Sequence, residues 1–551
     1  MIAIKKEEFP EERIVNQIRS LGLDMIDKAG SGHPGIVLGA APILYSLYAN
    51  HMKIHPDDPT WINRDRFVMS AGHGSALLYA TLYMAGYSLS LEDLMAFRQI
   101  DSITPGHPEV LVTPGVDMST GPLGQGLASA VGMAMAERYL ANLYNKKQED
   151  LIDYYTYVLC GDGDLMEGIS YEAMSLAGTM KLHKLIVLYD SNGISLDGTT
   201  SLAFTDDIES RVSSCGWNYI TTNDDPVNID KAILKAKQCL DKPTLIQVKT
   251  TIGKFSKWQG TNKVHGTVLE KEDISEIKKK LDVRDIPFTI SQEVVDAMQD
   301  KIKVRLSNTY ETWMENFEQL DNLLKNELEA LVDPTKREGM PEIALSIPEE
   351  RSESPRVTSS SILNQVASNL PHMLVGSADV SSSTKTYLKD LGDFGRENYL
   401  GKNIWFGVRE HAMGAILNGL ALSGLRPVGS TFLSFSDYMK PAIRMACFMD
   451  LPVIYVFTHD SVSVGEDGPT HQPVEQLVTL RSIPNMEVFR PADANEVLGT
   501  YKYALAKQTG PTAIVLSRNV LPIEESTSVN DVSKGAYILR DGRKGVDAVL
   551  I

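Results

Sequence analysis

The sequence predicts an α/β protein built from two doubly wound parallel-sheet domains, with a third C-terminal α/β domain missing except for its start. Three observations carry this expectation. Short apolar runs alternate with helical stretches in two separate regions, Gly-rich loops follow several of those runs, and a highly charged segment lies between the regions. The 551 residues suffice for about three or four domains.

Taken in order, the first 150 residues read as helices broken by the loops SGHPG (31–35), SAGHGSA (70–76), TPGHPE (104–109) and TGPLGQG (120–126). Residues 155–160 (YTYVLC) read as a buried strand that stops at Gly161-Asp162-Gly163. A helix is expected over 167–180 and further strands over 184–190 (KLIVLYD) and 244–250 (TLIQVKT). From about 270 to 350 the chain is charged, with helical stretches such as EKEDISEIKKKL, and SIPEERSESPRV (346–357) reads as a linker end. The second α/β pattern places strands at 373–378, 404–408, 452–458 and 513–517. The terminal run GVDAVLI resembles the first strand of another α/β unit, and a single strand builds no sheet. The expected domains are therefore 1–320, a linker over 321–354, a second domain over 355–535, and the start of a truncated third over 536–551.

Composition narrows the function. The chain is 43% hydrophobic and 23% charged, ordinary for a globular protein. No apolar run reaches the roughly 20 residues of a membrane span, and the first residues lack a secretory signal, so a cytoplasmic protein is expected. Cys160, Cys215, Cys239 and Cys447 form no CxxC pair or metal-ligand spacing and read as reduced thiols. A net charge of −18 argues against nucleic-acid partners. Small phosphorylated ligands remain possible where cations are placed locally.

Asp162 follows a buried strand directly, and Asn192 lies 192 − 162 = 30 positions later, just past the next one. Neighbouring parallel strands end on one edge, so the two oxygen-bearing side chains can converge there. A hard cation such as Mg²⁺ accepts carboxylate, amide and backbone oxygens and shares itself with phosphate. Ile194 can add its carbonyl after the turn at Ser191–Gly193, and Gly163 permits close approach of a diphosphate. Taken alone, GDG reads as a tight strand-to-helix turn with a capping Asp, and it is Asn192 at this spacing that turns the reading toward a metal site.

These words, with SGHPG, AGHGSA, TPGHPE, TGPLGQG, REHAMGA and GEDGPTHQP in that order, resemble the transketolase family of thiamine diphosphate-dependent enzymes from about residue 15 to 525. The resemblance implies reversible transfer of a two-carbon ketol unit from a ketose phosphate such as xylulose 5-phosphate to an aldose phosphate such as ribose 5-phosphate, through a carbanion stabilised on thiamine diphosphate, in the pentose phosphate pathway. It implies thiamine diphosphate and Mg²⁺ as cofactors, with Ca²⁺ or Mn²⁺ as substitutes, and a homodimer with active sites at the subunit interface.

Residue by residue, the resemblance implies metal ligation by Asp162, Asn192 and Ile194. The cofactor would be held by His73, Gly121, Pro122, Leu123, Gly163, Glu167, Asn192, His265, Asp379, Phe432, Phe435 and Tyr438. Among these, Leu123 would wedge between the cofactor's rings and Phe435 would stack on its pyrimidine. Glu410 would share a proton with N1′ of that ring, for which burial should raise its pKa. With Glu410, the implied catalytic residues are His33, His107, His265 and His471. Sugar substrate would meet His33, His265, Asp467 and His471, and its phosphate Arg356, Ser383, His459 and Arg518. Gly30, Asp164 and much of 253–269 depart from the family pattern. The rival readings are a dihydroxyacetone synthase, with formaldehyde as acceptor, and a non-catalytic relative.

Overall fold

Strands that carry apolar residues on both faces need helices on both sides, and this requirement shapes each half of the chain. The computed structural model describes residues 10–146, 148, 150–333, 336, 343–347, 352–542 and 548–549. It divides into two units, Met1–Val332 and Asp333–Ile551. In the first, β1 (Arg66–Met69), β2 (Thr156–Gly161), β3 (Leu185–Ser191), β4 (Asn218–Asn223) and β5 (Thr244–Lys249) form a parallel sheet in the order β1-β2-β3-β5-β4. Nearly every residue of β2 and β3 is buried, as two covered faces demand.

Neither β1 nor β4 was expected. The first has only four residues, and the second, NYITTN, is a half-exposed edge whose polar residues mask any apolar pattern. The register pairs Gly161 with Asp190, so Asp162 and Asn192 leave the sheet at the same edge.

In the second unit β6 (Ser352–Glu353) precedes a parallel sheet of β7 (Met373–Ser377), β8 (Asn403–Trp405), β9 (Arg426–Phe432), β10 (Ile454–Thr458), β11 (Glu487–Phe489) and β12 (Thr512–Leu516). Its order is β11-β12-β10-β9-β7-β8, and β13 (Leu521–Pro522) returns to pair with β6. The central strand β9 escaped the sequence reading because Pro427 and Gly429 look like breakers. Pro427 sits at the strand's second position, where the ladder has only begun. A Cβ on Gly429 would lie 2.3 Å from Leu417 Cδ1, so glycine lets helix Glu410–Leu422 pack directly on the strand.

The charged region contains helices Lys271–Lys280, Gln292–Leu306, Thr309–Glu318 and Asn322–Val332. The last belongs to the first unit although it falls in the expected linker 321–354. Likewise 352–357, read as linker end, already holds β6 and the start of helix Pro355–Asn369. The run at 545–551, expected to open a further unit, lies outside the described residues apart from 548 and 549. The four cysteines are free thiols, and no described helix is long and apolar enough to cross a membrane.

Helix Glu11–Ala29 fastens the charged region to the first unit. Lys278 and Asp24 form a buried ion pair at 2.6 Å, and Asp24 Oδ2 also accepts the Phe288 N–H at 2.9 Å. Asn16 and Gln17 donate to the carbonyls of Leu281 and Thr289. Beneath them Leu38, Ile194, Ile252, Val264 and Ile277 form one apolar cluster, which seats both the turn after β3 and the loop that carries His265. Removing one partner of a buried pair strands the other charge and typically costs about 3–5 kcal/mol. Lys278→Met should therefore lower the free energy of urea unfolding by about that amount. Adding Asp24→Asn, which keeps an acceptor for Phe288, should recover most of the loss. An unchanged unfolding midpoint in the single variant would show that the pair does not hold this region.

Candidate active site

Three Gly-rich loops meet at a single carboxylate. Asp164 is fully buried; its Oδ1 accepts from Ser70 Oγ at 2.6 Å and Gly124 N at 2.9 Å, and its Oδ2 from Gly161 N at 3.0 Å. The last bond is the reach-back of an N3 carboxylate to the N-cap N–H, the second half of a capping box. Ser70 Oγ in turn accepts the Leu127 N–H at 3.0 Å. Burial raises the Asp164 pKa, and these donors offset part of that rise. The residue that departs from the family pattern is thus what ties SAGHGSA, TGPLGQG and GDGDLMEG together.

Four imidazoles gather on these loops. His33 lies with ring centroids 5.1 Å from His73, 5.9 Å from His265 and 6.4 Å from His107, and His73 stacks on His265 at 5.1 Å. Arg98, held by Ser31 Oγ at 2.8 Å, adds positive charge beside them. Burial, then the neighbouring histidines and Arg98, pushes His33 down to about 4; burial likewise holds His73 well below its ordinary value and lowers His107 and His265. All four rings are neutral at pH 7, each with one N–H donor and one acceptor nitrogen. The Nδ1 atoms of His33 and His265 are buried without a partner.

The TGPLGQG loop links this cluster to the sheet edge. A Cβ on Gly121 would sit 3.5 Å from the His107 ring, and one on Gly163 would sit 2.8 Å from Leu123 Cδ1. Gly163 therefore leaves room for Leu123 to project beside Asp162. Pro122 and Glu167 flank this junction, with Glu167 exposed just before helix Gly168–Thr179.

At the edge itself Tyr189 O–H donates to Asp162 Oδ1 at 2.5 Å, while Asp162 Oδ2 is buried with no partner. Burial raises the Asp162 pKa, against the Tyr189 bond and backbone N–H groups of Gly193 and Asn192. Asn192 is oriented by Asp190, which accepts its Nδ2 at 3.1 Å, and its Oδ1 accepts the Ile194 N–H at 3.0 Å. The hairpin bonds around Ile194 run from Ser195 to Gly198 and from Thr200 to Gly193 and do not use its carbonyl. An amide oxygen has a second lone pair, so one orphaned carboxylate oxygen, one amide oxygen and one carbonyl suit a hard divalent cation.

The second unit carries the remaining expected residues. Phe432 ends β9, Phe435 follows in a short turn, and the exposed Tyr438 lies in helix Ser436–Phe448. Phe432 stacks with Phe435 at 6.0 Å and meets the buried His459 at 3.9 Å; His471 stands edge-on to Phe435 at 5.1 Å. Pairing of β6 with β13 brings Arg356 and Arg518 near each other, and Arg356 donates to the Ser383 carbonyl at 2.7 Å. Arg356 Nε is buried without a partner, and Arg518 pairs with Glu466 at 2.6 Å. Burial, then Arg356 and Arg518, drives His459 down to about 4, with Asp467 opposing. Asp379 follows β7 exposed and in the left-handed region at φ 65°. Glu410 opens helix Glu410–Leu422 and is partly exposed in this chain.

The structure thus gathers His33, His73, His107, His265, Gly121, Leu123, Gly163, Asp162, Asn192 and Ile194 in the first unit. In the second it gathers Phe432, Phe435, His459, His471, Arg356, Ser383 and Arg518. Sequence reading gave no role to Asp164, Tyr189, Asp190 or Glu466. Only Asp164 left a local signal, its N3 position after the strand.

The lowered histidine pKa values fix a pH dependence. Unfolded imidazoles bind protons near 6.5, the folded cluster only at lower pH. The stability they contribute is therefore full above about 6.5 and lost as pH falls toward 4. In His73→Gln, unfolding free energy should fall less steeply over that window by the share of one proton. Identical slopes in urea titrations would mean that His73 is not held neutral.

Comparison with known proteins gives a consistent answer in both halves. Residues 10–340 match the family model described as transketolase, thiamine diphosphate binding domain, and residues 354–524 that described as transketolase, pyrimidine binding domain. The chain is 48% identical to the transketolases of Halalkalibacterium halodurans and Bacillus subtilis, over 98% of its own length and 83% of theirs. Its structure is similar to a transketolase from Leishmania mexicana, with a TM-score of 0.94 and 43% identity over 98% of this chain and 81% of that one. It is also similar to a transketolase from Pichia stipitis solved in complex with sedoheptulose-7-phosphate, with a TM-score of 0.93 and 40% identity over 97% and 81%. Matching models over most of the chain, together with relatives this close, make it a member of the transketolase family.

Proposed function

We propose that this transketolase transfers a two-carbon ketol unit from a ketose phosphate such as xylulose 5-phosphate to an aldose phosphate such as ribose 5-phosphate, using thiamine diphosphate and a divalent metal. The observation that carries the reading is the cluster of neutral imidazoles joined through Leu123 and Gly163 to an orphaned Asp162 oxygen. When bound, thiamine diphosphate supplies an electron sink for negative charge on the donor's carbonyl carbon.

The chain's own residues divide the remaining work. Asp162, Asn192 and the Ile194 carbonyl would hold Mg²⁺, or Mn²⁺ or Ca²⁺, against the diphosphate. Glu410 would hold a proton at N1′ of the pyrimidine, and Phe435 would stack on that ring, with Phe432 and Tyr438 around it. Neutral His33, His107 and His265 offer donors to the substrate's oxygens and acceptors to its hydroxyls, the two roles a developing alkoxide and a departing proton require. His471 and Asp467 would bind hydroxyls further along the sugar. Arg356, Arg518, His459 and Ser383 would take its phosphate, the locally placed cations that a chain of net charge −18 needs.

We extend the proposal to a homodimer with active sites at the subunit interface. Support comes from Glu410, half-buried in a single chain, and from Met166, Tyr171, Leu196 and Leu202, large apolar residues exposed near the metal edge.

A coupled assay with xylulose 5-phosphate and ribose 5-phosphate should show activity only with thiamine diphosphate and a divalent metal present. Arg356→Ala and Arg518→Ala should each reduce kcat/KM for xylulose 5-phosphate about ten- to hundredfold, the loss of one charge-assisted bond. Turnover of hydroxypyruvate, which has no phosphate, should change little. Equal losses on both donors would make these arginines structural, and no ketol transfer by the loaded wild type would overturn the reading.

A further inference from the structure

The orphaned oxygen of Asp162 owes its availability to a neighbour. Asp162 is buried at the end of β2 and offers two oxygens, which are not equivalent. Oδ1 is engaged by the Tyr189 hydroxyl at 2.5 Å, and Oδ2 has no partner. Tyr189 is itself 3% exposed, on β3 beside β2, so its ring has little freedom to turn away. Its hydroxyl is also supported from behind. Tyr219 O–H on β4 bonds Gln247 Oε1 on β5, which turns the Gln247 amide nitrogen toward Ser191 Oγ at 2.8 Å. With that acceptor role filled, the Ser191 hydroxyl faces the Tyr189 phenol two residues back on the same face of β3. Tyr219, Gln247 and Ser191 thus line the approach to the Tyr189 hydroxyl, which donates to Asp162.

We infer that Tyr189 is a positioning residue for the metal: by occupying Oδ1, it makes Asp162 a one-oxygen ligand through Oδ2 and so sets which divalent ion the site favours. This rests on the reading that Asp162 binds the metal. Mg²⁺ demands near-octahedral geometry and takes carboxylates through single oxygens, whereas the larger Ca²⁺ accepts both oxygens of one carboxylate. A carboxylate with one oxygen tied down suits the first ion and denies the second its extra contact. Neighbours that orient a metal ligand typically govern affinity by about ten- to a hundredfold.

The test is calorimetric titration of the cofactor-free full chain with thiamine diphosphate, at graded Mg²⁺ and separately at graded Ca²⁺. In Tyr189→Phe, the apparent Mg²⁺ affinity should fall about tenfold, the lower end of that range, while the Ca²⁺ affinity falls less. The Ca²⁺-to-Mg²⁺ affinity ratio should therefore rise, a change that a general loosening of the fold does not produce. Gln247→Leu, which withdraws the support behind Ser191 without touching the edge, should move the ratio in the same direction by less. It also keeps the inference testable should Tyr189→Phe fail to fold. Asp162→Ala separates the two levels of the argument. Unchanged metal dependence in Asp162→Ala would remove the metal-site reading itself. Loss of metal dependence there, with the wild-type Ca²⁺-to-Mg²⁺ ratio retained in both Tyr189→Phe and Gln247→Leu, would overturn the role of Tyr189 alone.

Discussion

A carboxylate buried among backbone N–H groups holds the first unit's chemistry together. Moving an ionised Asp164 out of water costs several kcal/mol. Its charge is accepted because Ser70, Gly124 and Gly161 aim donors at its two oxygens, each such bond to a charged group being worth about 1.5–3 kcal/mol. The arrangement works only if three loops, distant in sequence, stand at fixed positions relative to one another. Those positions put Leu123 against Gly163 and Gly121 beside His107, and they carry His73 to within stacking distance of His265. The histidine cluster and the sheet edge at Asp162 are thus placed by the same loops. A site that must bind a cofactor and orient a sugar benefits from such preorganisation, since less ordering remains to be done on binding.

The second unit solves a different problem, collecting positive charge in an acidic chain. Two short strands, β6 and β13, would be negligible as secondary structure, yet their pairing draws Arg356 and Arg518 from segments 162 positions apart. Each guanidinium retains capacity for an anion. Arg356 has a buried Nε without a partner, and Arg518 meets only a half-exposed pair with Glu466. Burial, then the field of these arginines, holds the His459 pKa low, so it meets an incoming anion as a neutral hydrogen-bond donor.

Much of this was legible in the residues. Runs such as YTYVLC and KLIVLYD announce strands because a covered parallel sheet leaves no face for polar residues. The spacing of Asp162 and Asn192 was readable because adjacent parallel strands end together, and the register bears out that geometry. What stayed hidden depended on tertiary context. Strand β9 was masked by Pro427 and Gly429, whose presence makes sense only once the start of the ladder and the contact with Leu417 are seen. Edge strand β4 is too polar to declare itself, and the helix Asn322–Val332 sits in what composition marks as linker. Asp164 looked like a departure from a pattern because its partners lie 40 and 94 positions away. Tyr189 was one residue of the expected strand KLIVLYD, with no role of its own. Its role appears only when its hydroxyl is found on Asp162.

The central claim is that Asp164 builds the site by fixing its loops, and Asp164→Asn tests it with a change of almost no volume. The amide keeps an oxygen for Ser70 and Gly124 but turns an N–H₂ toward the Gly161 N–H, leaving a buried donor unsatisfied at about 1–3 kcal/mol. Thiamine diphosphate affinity in saturating Mg²⁺, measured by calorimetry, should fall about ten- to hundredfold while far-UV circular dichroism stays that of the native fold. Wild-type affinity in a folded Asp164→Asn protein would contradict the account, because the loops would then hold their places without the carboxylate.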